Sequence, residues 1–377
     1  MSRFTKYAKL VTMKNDILTH KFPPNLDSMI WNKEFALQLA ATQGAISGLN
    51  QAVPLLHNPS LLMQPLLDKE AESSSRLEGT QASVEDVYKA ELKNVEEESD
   101  DVTETKNYRR ALNAGIEGIK DKPLNQSTIR GMHAILMTSV RGEDKHPGQY
   151  RTGDVWIGAR GTGVGQARYM PPAAVHLPEL MSSLEAFIQD ADTHPLIACG
   201  VIHQRFEGIH PFEDGNGRTG RLLITLYLLK TGMLTEPMLY PSGFFEKNKR
   251  DYMDALHAVD IYQDWSTWLM FFLRGVETQA LLSLKVAREI DKLYKSYRDC
   301  IKDVTAYIGL LQVLEFCFVQ PIVNVKYVSS KLNMNPQTVR RYLVTLEEKG
   351  VLVLDHLQAR GERVYANQGL LNILRQI

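Results

Sequence analysis

Cysteine is scarce in this chain: Cys199, Cys300 and Cys317 are the only three in 377 residues, far apart and set among apolar neighbours. That excludes a disulfide framework or a zinc knuckle and fits buried thiols in a reducing compartment. A surplus of either charge is missing too, with 43 Lys+Arg against 44 Asp+Glu and a net charge of -1. No global field therefore draws the protein toward nucleic acid or an acidic membrane surface, and any such patch must be local. No apolar run is long enough to span a bilayer, and the opening MSRFTKYAKLVTMKND lacks the apolar centre of a signal peptide. The expectation is a cytoplasmic protein with no membrane partner. Repeats and low-complexity tracts are also absent, which leaves an ordinary globular chain whose length suits two or three domains.

The dominant pattern is helical. Apolar residues recur at three- and four-residue spacing over Phe35 to Leu49, Leu61 to Tyr88, Thr128 to Val140, Ala174 to Ile188, Pro195 to Phe206, Arg221 to Leu229 and Trp265 to Tyr294. The clearest β signal is Asp154 to Gly158, followed by the turn ARGTGVGQ, then Ala167 to Met170 and a Pro171-Pro172 stop, which together predict a hairpin. Glu91 to Glu104 holds seven acidic residues in fourteen positions and reads as a solvated connector or the exposed face of a helix. After about residue 300 the character changes. Helical patterns at Val323 to Leu332 and Pro336 to Lys349 precede an alternating ribbon, Val351 to Tyr365, and together they give a winged-helix outline.

The densest chemical signal is His210 to Arg221, HPFEDGNGRTGR, between two apolar helices. Gly215 and Gly217 permit positive φ and close backbone approach, so successive amides at a helix start can point into one concavity and cradle an anion. Arg218 and Arg221 share one helical face, where two guanidinium groups can grip phosphate oxygens with forked hydrogen bonds, which points to a polyphosphate. Asp214 is the magnesium ligand this reading requires, since a carboxylate beside a phosphate site is suited to a cation the phosphates also bind. His210, neutral near pH 7, is the candidate base for an incoming hydroxyl. The other nine histidines form no metal pattern, and His203, on the preceding helix, reads as a packed or capping residue.

At these residues the sequence resembles the Fic family, whose pattern H-x-F-x-[DE]-G-N-G-R-x-x-R is matched at every specified position. The resemblance covers roughly residues 60 to 275. It implies a mainly α fold: a Fic helical core with a β-hairpin flap, followed by a C-terminal winged helix-turn-helix domain. The implied division is an N-terminal helical region, 1–105, a catalytic core, 106–300, and the winged-helix domain, 301–377. The implied activity is transfer of AMP from ATP to a Ser, Thr or Tyr hydroxyl of a target protein, with Mg2+ as the cofactor. The implied nucleotide contacts are Gly215, Asn216, Gly217, Arg218, Thr219, Gly220 and Arg221, with the Asn216 side chain in the anion hole and Phe212 packed inward. Family likeness in SGFFEKNKRDYMDAL adds Tyr252 against the adenine. The hairpin resembles the family's flap, so Val155, Trp156, Ile157 and Gly158 would pair with an extended target segment by strand addition. Trp156 and Ile157 also suit core or dimer positions.

Upstream, Ser74 to Gly79 reads SSRLEG and matches the family's inhibitory pattern [ST]-x-x-x-E-[GN]. The resemblance implies that Glu78 pairs with Arg221 in place of the γ-phosphate and that Ser74 anchors the helix end. In some family members the same glutamate positions a water for removing AMP, and that reading stays open. The C-terminal unit carries eight Lys+Arg against five Asp+Glu from Thr305 on, with Arg340 and Arg341 on its second helix and Arg360 and Arg363 at the wing. DNA contact and protein docking are both open for it, as is a homodimer for the whole chain. The rival function is a DNA-binding regulator that uses the fold as a nucleotide sensor, a role that needs no general base.

Overall fold

The computed structural model describes residues 22–26, 31–92, 98–140, 145–158, 165, 167–190, 192–355 and 363–376. Helix α1 (Lys33–Ala52) starts at Asn32, whose side chain accepts the Phe35 N–H at 2.9 Å, the usual way an orphan amide at a helix start is satisfied. It lays Phe35, Ile46 and Leu49 along α11 (Trp265–Ile301). Between them run α2 (Pro59–Leu77), α3 (Val84–Glu91), α4 (Asp100–Ile119), α5 (Gln126–Leu136), α6 (Leu177–Gln189), α7 (Pro195–Ile209), α8 (Asn216–Lys230), α9 (Ser242–Lys247) and α10 (Lys249–Tyr262).

The pair α7 and α8 occupies the centre. Leu196, Ile197, Val201, Ile202 and Phe206 on one and Leu222, Leu223, Ile224, Leu226 and Leu228 on the other are fully buried, so neither helix keeps a polar face, as a helix enclosed on all sides requires. Around them pack α4, α5, α6, α10 and α11. The turn between α7 and α8, residues 210–215, is thereby held at the mouth of the core. The 37-residue α11 is about 55 Å long at ~1.5 Å per residue, and it ties α1, α7 and α10 to the C-terminal unit.

That unit comprises α12 (Tyr307–Val319), β1 (Ile322–Asn324), α13 (Val325–Leu332), α14 (Pro336–Glu348), β2 (Val353–Asp355), β3 (Val364–Ala366) and α15 (Gln368–Leu374). Its antiparallel sheet runs β1-β3-β2, with Tyr365 opposite both Val323 and Leu354. The helix-turn-helix and ribbon are consistent with the winged-helix outline. Arg360 lies outside the described residues. The unit also touches the N-terminal helices: α12 packs on α2, β1 packs on α3, and Gln320 Nε2 donates to the Tyr88 carbonyl at 3.0 Å.

Three expectations need correction. The helical pattern Leu61 to Tyr88 is broken in the middle, because Gly79 takes φ 101° and Ser83 opens α3 with a reciprocal capping box to Asp86. The acidic stretch is a helix from Asp100 onward, capped by Ser99, and its Asp100 and Asp101 sit in the first turn, where the helix dipole favours them. Glu104 is buried rather than solvated, and residues 93–97 lie outside the described set. The expected hairpin reduces to a single bridge between Ile157 and Tyr169, with most of its turn, residues 159–164 and 166, outside the described residues. The N-terminal segment read for a signal also lies outside them, and no described helix is long and apolar enough to cross a membrane.

Candidate active site

Helix α7 stops at His210, which takes the left-handed conformation at φ 51° while its N–H still reaches the Phe206 carbonyl. Asn216 then closes the turn. Its Oδ1 accepts from Phe212 N and its Nδ2 donates to Phe212 O, both at 2.8 Å. The oxygen and one N–H of this amide are bonded to the loop's own backbone, so Asn216 braces the turn. Gly215 precedes α8 at φ 75°, a conformation a side chain would strain.

The first backbone bond of α8 is Thr219 N to Gly215 O at 3.0 Å. The amides of Asn216, Gly217 and Arg218 consequently have no carbonyl one turn back, the situation that makes a helix start an anion seat. Behind them Arg218 is buried at 3% exposure. Its Nη1 is 3.3 Å from Glu104 Oε2 but off the axis of a hydrogen bond, and its Nε and Nη1 have no hydrogen-bond partner. Unpartnered buried guanidinium donors beside free helix amides suit a polyphosphate.

Glu78 occupies this seat. At the C-terminal end of α2, its Oε1 accepts from Arg221 Nη2 at 2.7 Å. The carboxylate lies so close over the first turn of α8 that a β-carbon on Gly217 would collide with it. Burial raises its pKa, but the charge and hydrogen bond of Arg221, with Arg218 and Lys249 behind, outweigh that and hold it below the usual value. A lowered carboxylate pKa means the pairing persists at neutral pH and is lost only as pH falls through the acid range. Ser74 does more than anchor its helix: its Oγ accepts from Arg221 Nε at 2.8 Å and its carbonyl accepts from Nη2 at 2.9 Å. Arg221, at 2% exposure, is thus held through Nε and Nη2 by one helix end.

His210 Nδ1 faces the Glu207 carbonyl at 3.3 Å. A carbonyl only accepts, so Nδ1 carries the proton and the lone pair is on Nε2. Burial pushes the imidazole down to about 4, with Arg151 adding to the effect against the Glu207 carbonyl. The ring is neutral at pH 7. If it is the base, the acid limb of the pH–rate profile is expected near pH 4 to 5 rather than at the ordinary histidine value of about 6.5; rates measured from pH 4 to 8 on folded protein check this.

Asp214 is the one exposed carboxylate of the turn, at 52% side-chain exposure. One oxygen takes the Gly215 N–H at 2.6 Å. Among the described residues no group of three metal-binding side chains exists. A single outward carboxylate does fit magnesium, which keeps waters and takes its other ligands from nucleotide phosphates.

The structure brings together Ser74, Glu78, His210, Asp214 to Arg218 and Arg221. Thr219 and Gly220 lie one turn inside α8, Thr219 bonded to the Gly215 carbonyl and Gly220 to His203. Tyr252 is a correction. It is 2% exposed, stacked on Phe245 with ring centroids 4.7 Å apart, and its hydroxyl donates to His203 Nε2 at 2.7 Å. The buried face of α10 puts it in the aromatic wall behind Arg221, so it is not open to an adenine. His203 is fully buried in the same wall, as a packed residue. In the flap region Trp156 is 47% exposed, and Ile157 N donates to Tyr169 O at 2.9 Å.

His133 gave no sequence signal beyond being one histidine on a helix. Its ring lies flat on Phe212, centroids 3.7 Å apart at 2°. Nδ1 accepts from Gly148 N at 2.8 Å, which leaves Nε2–H to donate to the Asp214 carbonyl at 2.9 Å. His133→Phe would keep the stack and leave the buried Gly148 N–H and the partly buried Asp214 carbonyl unpaired, an expected loss of about 1–3 kcal/mol in chemical denaturation.

This turn now meets known proteins. Residues 37–117 match the family described as Fic/DOC family N-terminal, and residues 123–228 match the Fic/DOC family. Over these two stretches the chain is similar to the Fic/DOC family. The Fic fold is also that of a Fic family protein from Desulfovibrio desulfuricans, with TM-score 0.56 and 22% identity over 88% of this chain and 95% of that one. A Fic domain containing signaling protein from Bacteroides thetaiotaomicron gives TM-score 0.54 at 21% identity over 67% and 97%. Among curated relatives, protein adenylyltransferase Fic of Aedes aegypti is 30% identical over 121 residues, 30% of this chain and 21% of that protein. A probable protein adenylyltransferase of Aquifex aeolicus is 27% identical over 155 residues, 36% of this chain and 47% of that protein. The match thus spans about a fifth of the mosquito relative and under half of the bacterial one.

Proposed function

We propose that this protein is an adenylyltransferase that moves AMP from ATP to a Ser, Thr or Tyr hydroxyl of a target protein, and that Glu78 restrains it. The observation that carries the proposal is the pairing of a neutral imidazole at the end of α7 with an anion seat at the start of α8. In this reading the free amides of residues 216–218 and the guanidinium of Arg218 hold the triphosphate, and Arg221 takes its outer phosphate once Glu78 withdraws. His210 Nε2 receives the proton of the attacking hydroxyl, the oxygen attacks the α-phosphorus, and pyrophosphate departs. Most of the acceleration comes from donors already in place where charge gathers on the transferring group. Asp214 would hold a magnesium ion, whose contribution when bound is to neutralise phosphate charge.

The target would lie along residues 155–158, at the exposed edge beside Trp156, pairing by main-chain hydrogen bonds. The C-terminal unit would select partners; Arg340 and Arg341 are exposed on α14, which keeps DNA contact alongside protein docking. The test uses ATP labelled in turn on the α- and the γ-phosphorus. Retention of the α label on a hydroxyl-bearing residue supports the proposal; retention of the γ label makes the protein a kinase instead. No label from either, with operator DNA bound tightly, favours the regulator.

A further inference from the structure

Arg151 is a buried cation, 3% exposed, whose guanidinium ends on main-chain carbonyls. Nε donates to His210 O at 2.8 Å, Nη1 to Gly153 O at 2.9 Å, and Nη2 to Pro172 O at 2.6 Å and, more weakly, to Ile209 O at 3.4 Å. Its own N–H donates to Pro211 O at 2.9 Å. Three of these carbonyls, of Ile209, His210 and Pro211, belong to the end of α7 and its turn, where orphan acceptors collect and a cation is favoured. Gly153 and Pro172 are different in kind. They are the points where the chain enters and leaves the flap, and no helix end requires a donor there.

Two further bonds hold this region, one from flap to α7 and one between the stems. Tyr169, across the bridge from Ile157, donates its hydroxyl to Gly208 O at 2.9 Å in the last turn of α7, and Asp154 Oδ1 accepts from Ala174 N at 3.3 Å between the two stems.

We infer that Arg151 is a positioning residue that sets the flap over the base: one planar fork fixes both stems of the flap and the carbonyl of His210. The segment that docks the target and the imidazole that takes its proton are then one rigid body, and a displacement of about 1 Å between them is enough to cost a hundredfold in rate. The inference rests on the adenylyltransferase reading for its consequence, but not for its geometry.

A lysine at 151 separates this role from simple capping of α7. It keeps a positive charge at the helix end, yet a single ammonium on a flexible stem cannot span the divergent carbonyls that the fork holds. The experiment uses the full chain carrying Glu78→Gly, alone and with Arg151→Lys or Arg151→Met. Three quantities are followed: the dissociation constant of magnesium ATP, the rate of AMP incorporation into the protein's own hydroxyls, and amide exchange at residues 153–158, 167–172 and 209–211. The expected result is that Arg151→Lys behaves like Arg151→Met. Incorporation falls at least tenfold, nucleotide affinity stays within twofold, and exchange rises together in all three segments while α12 to α15 keep the parent's protection.

Two results would overturn the inference: a lysine variant indistinguishable from its parent, which makes Arg151 a charge cap, or nucleotide affinity falling in step with incorporation. Should Arg151→Met fail to fold, the lysine variant decides alone. If the Glu78→Gly parent incorporates nothing, the adenylyltransferase reading fails, while the exchange measurement still judges whether Arg151 joins flap to base.

Discussion

Glu78→Gly is expected to raise AMP incorporation about ten- to a hundredfold over the native protein. The carboxylate sits on the first turn of α8 and takes a charge-assisted hydrogen bond from Arg221 at 2.7 Å, an interaction worth about 1.5–3 kcal/mol, where each ~1.4 kcal/mol is a factor of ten. Its side chain is 40% exposed, so solvent screening moves the expectation toward the lower end of that range. Glycine also removes the atoms that crowd Gly217, which clears the seat for phosphate oxygens. The change lies at the last residue of a helix end, next to a Gly79 already in the left-handed region, so little of the fold depends on it. Equal incorporation by the two proteins would show that Glu78 is only a helix-end residue satisfied by a nearby arginine. Measuring the dissociation constant for magnesium ATP in both distinguishes a displaced competitor from a changed chemical step.

His210→Ala is the second large effect. Loss of a positioned general base costs about a hundred- to ten-thousandfold, and the loss is expected in the native and Glu78→Gly backgrounds alike, because the two side chains act on different atoms of the reaction. Nucleotide affinity is expected to survive, since none of the free amides or the Arg218 donors comes from His210. A substantial residual rate, with binding unchanged, would mean that solvent or another group takes the proton. Glu207 is the nearest rival: it is three residues earlier, one of its oxygens is unpartnered, and burial pushes its carboxyl up to about 8 against the pull of Arg221. The pH–rate profile separates them, because with Glu207 as base the rate would still be rising between pH 6 and 8, where a His210-dependent rate is already level.

What the sequence disclosed and what it hid follow from how each residue works. The turn from His210 to Arg221 acts through residue types at fixed offsets, so twelve consecutive letters carried the anion seat, the imidazole and the exposed carboxylate. Glu78 was legible for the same reason, although its partner lies 143 residues away. Arg151 and His133 act on main-chain carbonyls and amides of distant segments, and a backbone group leaves no mark in a sequence for a side chain to be matched to. Glu104 was hidden by composition, since a buried acid in an acid-rich stretch looks like its neighbours.

Tyr252 erred in the opposite sense: its residue type suited a ligand contact, while the fold spends its ring and hydroxyl internally. The helices read from period have boundaries a few residues out, except where Gly79 and Ser83 end one and start another inside a continuous apolar pattern; Lys249–Tyr262, Tyr307–Val319 and most of Asp100–Ile119 are not among them. The flap is seen in the described residues as one antiparallel bridge, Ile157 to Tyr169, and most of its turn lies outside them.

The central claim is that Glu78 and the outer phosphate of a nucleotide compete for one place at the head of α8. A crystal structure of the Glu78→Gly protein with magnesium ATP tests it most directly. The account expects the terminal phosphate within hydrogen-bonding distance of Arg221 and the residue 216–218 amides, and the α-phosphorus facing His210 Nε2. A triphosphate bound away from that helix start, or an imidazole turned into the packed core, would contradict it.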